Sequence, residues 1–104
     1  DRAFVMKKIF DDTNSLDQFD FIFIDCPPAL SLLTVMAMTA ATSVIVPLQC
    51  EFFALEGLSQ LIKTIDRVRQ NLNPILNIDG IVLTMFDKRN KLSSQVAHDV
   101  RTHL

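Results

Sequence analysis

Phe21-Ile22-Phe23-Ile24-Asp25-Cys26-Pro27-Pro28 is the stretch on which the fold turns. A short run alternating Phe with Ile stops at a carboxylate, and two prolines follow at once. Apolar runs of this length, bounded by breakers, read as fully buried strands. Proline lacks the N–H and fixes φ, so strand pairing cannot continue through Pro27 and Pro28. Asp25 is therefore expected at the carboxyl end of a central strand. In open α/β sheets the crevice beyond that end is where ligands bind, and an acid placed there commonly holds Mg²⁺ on a nucleotide phosphate. The alternative is that Asp25 caps the helix that follows.

Composition narrows the setting. A chain of 104 residues is one domain or part of one. Its 49% hydrophobic content asks for more covering layers than so short a chain supplies, and it starts at Asp1 in what reads as the middle of a helix. Both features point to a fragment. A formal net charge of −2 excludes a global basic field, so any contact with nucleic acid must be local. The two cysteines, Cys26 and Cys50, lie far apart in apolar surroundings without CxxC spacing, and read as buried thiols in a reducing cytosol. A bilayer span needs about 20 apolar residues. The nearest candidate, Ala29 to Val46, is interrupted by Ser31, Thr34, Thr39, Thr42 and Ser43, and the N-terminus has no signal-peptide pattern.

The elements alternate. Arg2 to Asp12 reads as the end of a helix with Phe4, Val5, Ile9 and Phe10 inward, followed by a polar turn over residues 11–15. Phe19 to Asp25 is the first expected strand, and Leu30 to Ala41 an apolar helix buried on more than one side. Ser43 to Leu48 is the second strand. Ala54 to Leu72 is the clearest helix, with Leu55, Leu58, Leu61, Ile62, Ile65, Val68 and Leu72 at three- and four-residue steps. Pro74 ends it. Ile78 to Met85 is the third strand, and Leu92 to Leu104 a last helix with Leu92, Val96 and Val100 on one face. Alternating strands and helices imply a parallel sheet with right-handed crossovers. The expected class is α/β: a three-layer, Rossmann-like arrangement with helices on both faces of the sheet.

Parallel strands bring their carboxyl ends to one edge. Three segments should meet there: Asp25-Cys26-Pro27-Pro28, Gln49-Cys50-Glu51, and Thr84-Met85-Phe86-Asp87-Lys88-Arg89. Asp25 is a candidate Mg²⁺ ligand, directly or through water, because Mg²⁺ keeps several waters and takes one or two carboxylates besides substrate phosphates. Glu51 and Glu56 lie near the start of the long helix, where acids favour the positive dipole end. Lys88, Arg89 and Lys91 put three cations into one short loop. Such a cluster neutralises phosphates without reading bases, or is simply a solvated loop. With only Gly57 and Gly80 in the chain, no glycine-rich phosphate loop exists. His98 and His103 do not share a helix face well enough for a metal pair, and Ser31 lacks a G-x-S-x-G elbow.

Phe19 to Pro28, Leu32-Leu33-Thr34, Val46 to Leu58 and Ile81 to Arg89 together resemble the ParA/Soj family of chromosome and plasmid partition ATPases. The likeness covers essentially the whole chain. Its Asp-Cys-Pro-Pro element is shared with MinD-like relatives, whereas Gln-Cys-Glu-x-x-Ala-Leu-Glu-Gly is more specific. The resemblance implies a deviant-Walker P-loop NTPase fold, with ATP and Mg²⁺ as cofactors, an ATP-dependent homodimer, non-specific DNA binding and a ParB-like partner. It implies a cytoplasmic, nucleoid-associated protein. Asp25 then matches the Walker B aspartate acting on Mg²⁺, and Pro27 and Pro28 the segment that responds to the γ-phosphate. Thr84 and Met85 fall on the adenine side. Arg89, with Lys88 and Lys91 beside it, falls where the family carries a DNA-binding arginine, and Glu51 and Glu56 fall on the dimer face.

The departures matter as much. The family's Lys-Gly-Gly-x-Gly-Lys-Thr loop, its Asp-x-Asp-Pro-Gln-Gly motif with the catalytic aspartate, and its Pro-Arg-Asn segment do not occur in these residues. Ala29, Ser31, Met36 and Thr42 stand where the family usually has Ser, Gly, Asn and Asp. The reading is residues 1–104 as the central fragment of one ParA-like ATPase domain, with no catalytic residue of its own and no hydrolysis in isolation. One alternative is a truncated, non-enzymatic module that binds DNA or a partner. Another is a receiver-like domain with Asp25 as phosphoacceptor, which wants an acidic pair before that strand; Asp11-Asp12 follows a helix instead. The unmatched strands of such a fragment would leave sheet edges and apolar faces open, with self-association as the expected consequence.

Overall fold

A computed structural model describes residues 2–27 and 30–103. A 3-10 turn over Arg2–Phe4 runs into α1 (Val5–Asp12), and a second 3-10 segment spans Asn14–Gln18. Then come α2 (Leu32–Ala40), β1 (Ser43–Gln49), α3 (Ala54–Asn71), β2 (Asn77–Thr84) and α4 (Lys91–His103). The class is mixed α/β, and its sheet is parallel, as the alternation implied.

β1 and β2 pair from Ser43 opposite Asn77 to Gln49 opposite Thr84. The register shifts once, between Val44 and Ile45, leaving Asp79 outside the pairing; its carboxylate accepts from Ser43 Oγ at 2.8 Å. Burial alternates along β1, as a pleated strand with one covered face requires. Val46 and Leu48 are buried against Ala54 and Leu58 of α3 and Val96 and Val100 of α4. The residues between them, Ile45, Pro47 and Gln49, are exposed. A second cluster joins α2 to α3 through Met38, Ile65, Val68 and Leu76. α3 follows its apolar periodicity closely. Leu72 N–H donates to the Val68 carbonyl at 2.8 Å, closing the last turn, and Pro74 prevents another.

The expected first strand is a correction. Residues 21–27 form no helix and carry no strand pairing, and Phe21 and Phe23 are 79% and 80% exposed. An open cavity of about 1,070 Å³ is lined by residues of this segment, Phe21, Ile24 and Asp25 among them, and by Val44, Val46 and Leu48 of β1. A strand is a pairing, and the apolar run meets no backbone partner among the described residues. Cys26, expected to be buried, is exposed for the same reason, whereas Cys50 is half-buried. Phe4, Val5 and Ile9 of the first helix also face outward, and the buried residue there is Ala3. α1 packs on α2, and that contact does not reach these side chains' outer face.

So much exposed aromatic surface on a segment without strand partners is an association hazard. Residues 1–104 alone should self-associate, with molar mass rising with concentration in light scattering. The double variant Phe21→Ser/Phe23→Ser should weaken that rise, and a monodisperse wild-type monomer would contradict the expectation.

Candidate functional site

The carboxyl edge is built by the end of the ladder. Cys50 N–H donates to the Thr84 carbonyl at 3.1 Å, extending the β1–β2 pairing one residue beyond Gln49. Glu51 and Met85 therefore leave the sheet from adjacent positions. The Glu51 carbonyl accepts from Ala54 N–H at 3.2 Å, which starts α3. The cap residue Phe53 gives no side-chain bond, so the exposed Glu56 in the first turn acts on the helix end through the dipole alone. The rings of Phe52 and Phe53 lie 5.9 Å apart, and both are exposed.

Met85 leaves β2 with φ 57°, the left-handed region that an unbranched side chain enters only at a cost of about 1–2 kcal/mol. Its side chain is exposed. Strained residues of this kind cluster at ligand clamps and switch segments. Sequence patterning placed Met85 inside the strand and carried no signal for the turn.

The cation-bearing loop is a defined turn. Asp87 N–H donates to Oγ of the buried Ser93 at 3.3 Å, and the Asp87 carbonyl accepts from Asn90 N–H at 3.0 Å. Asn90 Oδ1 accepts from Leu92 N–H at 2.8 Å and so caps α4. Arg89 is held by Asp87: its N–H donates to Oδ1 at 2.9 Å, and its Nε lies 3.3 Å from the same oxygen. The Arg89 backbone N–H first, and then its guanidinium, hold the Asp87 carboxyl below the ordinary carboxylate range. Lys88, Arg89 and Lys91 are all exposed.

Asp25 and Pro27 are exposed and line the same cavity as Leu48, Gly57 and Leu58. Pro28 lies outside the described residues. The competing role for Asp25, capping the next helix, is filled by Ser31, whose Oγ accepts from Thr34 N–H at 3.5 Å. Serine just before an apolar run is the signal that would have found this cap. The structure thus joins Gln49-Cys50-Glu51 to Thr84 and the turn beyond it. Asp25 and Pro27 instead line the cavity.

The donor set at Asp25 suits a hard cation carried on phosphate. Among the described residues no group of three or more His, Cys, Asp or Glu side chains is placed to enclose a metal. Asp25 is one of three exposed carboxylates lining the cavity, with Asp20 and Asp79, and one or two carboxylates are what Mg²⁺ takes from a protein when a substrate supplies the other oxygens. Among the described residues no helix is long and apolar enough to cross a membrane.

A family model described as an AAA domain matches residues 1–78, and the chain belongs to that family. Its curated relatives include chromosome-partitioning proteins. It is 57% identical to ParA of Caulobacter vibrioides over 102 residues, which is 98% of this chain and 38% of the relative. It is 48% identical to the chromosome-partitioning ATPase Soj of Treponema pallidum over 103 residues, covering 99% of this chain and 40% of the relative. The chain thus spans about two fifths of the length of these relatives. Among solved structures it superposes on cobyrinic acid a,c-diamide synthase from Mycobacterium smegmatis with bound ADP and magnesium. That match has a TM-score of 0.85 and 41% identity, and covers 99% of this chain and 41% of the other.

Proposed function

We propose that residues 1–104 are the central part of a single partition-ATPase domain, whose full-length protein couples Mg-ATP-dependent dimerisation to non-specific DNA binding in chromosome segregation. The observation that carries this reading is 57% identity to ParA across 98% of the chain. Asp25 contributes an oxygen to Mg²⁺ on the nucleotide, with Pro27 and Pro28 as the segment that follows the γ-phosphate. Bound Mg-ATP would supply the phosphoanhydride whose cleavage drives the cycle. The M. smegmatis neighbour, which holds ADP and magnesium, supports this choice of ligand. Thr84 and Met85 lie on the adenine side, Lys88, Arg89 and Lys91 meet DNA phosphates, and Glu51 and Glu56 belong to the dimer face. A ParB-like protein is the partner, and the nucleoid is the site of action.

The test compares two proteins. The full-length protein should hydrolyse Mg-ATP, and residues 1–104 alone should show no turnover above a buffer blank. Turnover by the short chain that disappears in Asp25→Asn would overturn the assignment of the catalytic groups to other parts of the protein.

A second reading has one observation in its favour. The turn bearing Arg89 is fixed by Asp87, Asn90 and Ser93, all within the described residues. A non-enzymatic module could present it unaided. Salt-dependent DNA binding by residues 1–104, lost in Arg89→Ala and indifferent to ATP, would favour that reading.

A further inference from the structure

Arg89 has a partner before any ligand arrives. Asp87 Oδ1 accepts its backbone N–H at 2.9 Å and its Nε–H at 3.3 Å, and Oδ2 accepts from Nη2 at 3.5 Å. Two carboxylate oxygens thus meet one guanidinium fork from two residues away. Asp87 is anchored in turn, through its N–H on the buried Ser93 Oγ at 3.3 Å and its carbonyl on Asn90 N–H at 3.0 Å. The Asp87 backbone is therefore placed by the start of α4, while its carboxylate oxygens take their bonds from Arg89. The guanidinium contacts are long, and the Arg89 side chain is 91% exposed. An ion pair of that kind in water is weak and exchanges readily. A phosphodiester offers the same fork two oxygens in the same arrangement as a carboxylate.

We propose that Asp87 is a built-in counter-ion for Arg89, holding the guanidinium at the carboxyl edge of β2 until a DNA phosphate takes its place. The proposal rests on the reading of this loop as a DNA contact. Asp87 has two separable effects. Its Oδ1 fixes the Arg89 backbone in the turn, which favours binding. Its charge competes with the incoming phosphate, which opposes binding and lowers the loop's net contribution to counter-ion release. The resting loop is less sticky to anions than its three cations suggest, and engagement is an exchange of one oxyanion for another.

Asp87→Asn separates the two effects, because Asn keeps an Oδ1 acceptor for the Arg89 N–H and loses the charge. In the full-length protein with ATP and Mg²⁺, binding to a fluorescent duplex should tighten about twofold to fivefold on this substitution. Between about 50 and 200 mM salt, the slope of log affinity should steepen by up to about one. The gain should vanish in an Arg89→Ala background, since the two side chains act as a pair. The Arg89 Nε–H resonance, identified by its loss in Arg89→Ala, should move in Asp87→Asn without DNA, and in the wild type on adding duplex.

Unchanged affinity in Asp87→Asn, or a gain that survives Arg89→Ala undiminished, overturns the inference while leaving the DNA reading of the loop intact. Full DNA binding by Arg89→Ala, with the Nε–H shift still present in Asp87→Asn, removes the DNA reading instead. The Asp87–Arg89 contact is then a turn element only, and the inference falls with it.

Discussion

Asp25→Asn in the full-length protein is expected to lower Mg-ATP turnover by about 100-fold or more, the scale on which a metal-bound oxyanion contributes to phosphoryl transfer. The expectation follows from the proposed role and from what Asp25 is not needed for. Ser31 caps α2, so the helix after the prolines does not depend on the carboxylate. Asp25 is also exposed, so neutralising it strands no buried charge. The isosteric amide should leave the unfolding midpoint close to that of the wild type while removing a negative ligand for Mg²⁺. Nucleotide affinity measured with Mg²⁺ should fall, and affinity in EDTA should change little. Turnover within about twofold of the wild type would remove Asp25 from the metal site, because a direct or water-mediated ligand cannot be lost so cheaply.

The parts of this molecule that could be read from its sequence are those whose burial is met locally. α3 carries its whole apolar stripe on one helix, and its observed bounds, Ala54–Asn71, differ from the expected ones by one residue. β1 and β2 pair with each other, and each expected bound moves by no more than one residue. Phe19–Asp25 failed as a strand for the opposite reason. Its composition states a demand for burial, but pairing needs a neighbour, and the sheet of the described residues holds β1 and β2 alone. The same holds for Phe4, Val5 and Ile9, whose helical spacing was legible and whose cover was not.

At the candidate site, the convergence of the β1 and β2 ends was legible because parallel direction alone dictates it. Apolar periodicity shows neither the left-handed Met85 nor the pairing of Asp87 with Arg89. Both depend on turn geometry, where a residue's neighbours in space are only two positions away and the apolar period carries no information. Asp followed two residues later by an N–H it can accept is an Asx-turn signal, and it was available in Asp87-Lys88-Arg89.

Asn73 is another element that periodicity could not find, and its removal should cost far more stability than the loss of an exposed polar side chain. It lies in the turn after α3 and is only 5% exposed. Its Nδ2 donates to the Met38 carbonyl at 2.9 Å and to the Ala41 carbonyl at 2.7 Å. These acceptors belong to the last turn of α2 and the residue after it, where helix carbonyls have no partner within the helix. Asn73 therefore ties α2 to α3 at the level of the Met38–Ile65–Val68–Leu76 cluster. Asn73→Ala deletes both donors and abandons two acceptors, the Met38 carbonyl in a buried bond and the Ala41 carbonyl in a half-buried one. At about 1–3 kcal/mol for an abandoned buried group, and less for the half-buried Ala41 carbonyl, the loss should total roughly 2–4 kcal/mol. Asn73→Asp should be at least as harmful, since it turns a carboxylate oxygen toward two carbonyls. Asn71 is the internal control: its Nδ2 also donates to a carbonyl, that of Arg67 at 3.0 Å, but in solvent. Asn71→Ala should stay within about 0.5 kcal/mol. Urea denaturation of the two alanine variants decides the matter. A midpoint for Asn73→Ala that matches Asn71→Ala would mean that water reaches the α2 carbonyls, and that the α2–α3 junction is held by its apolar cluster alone.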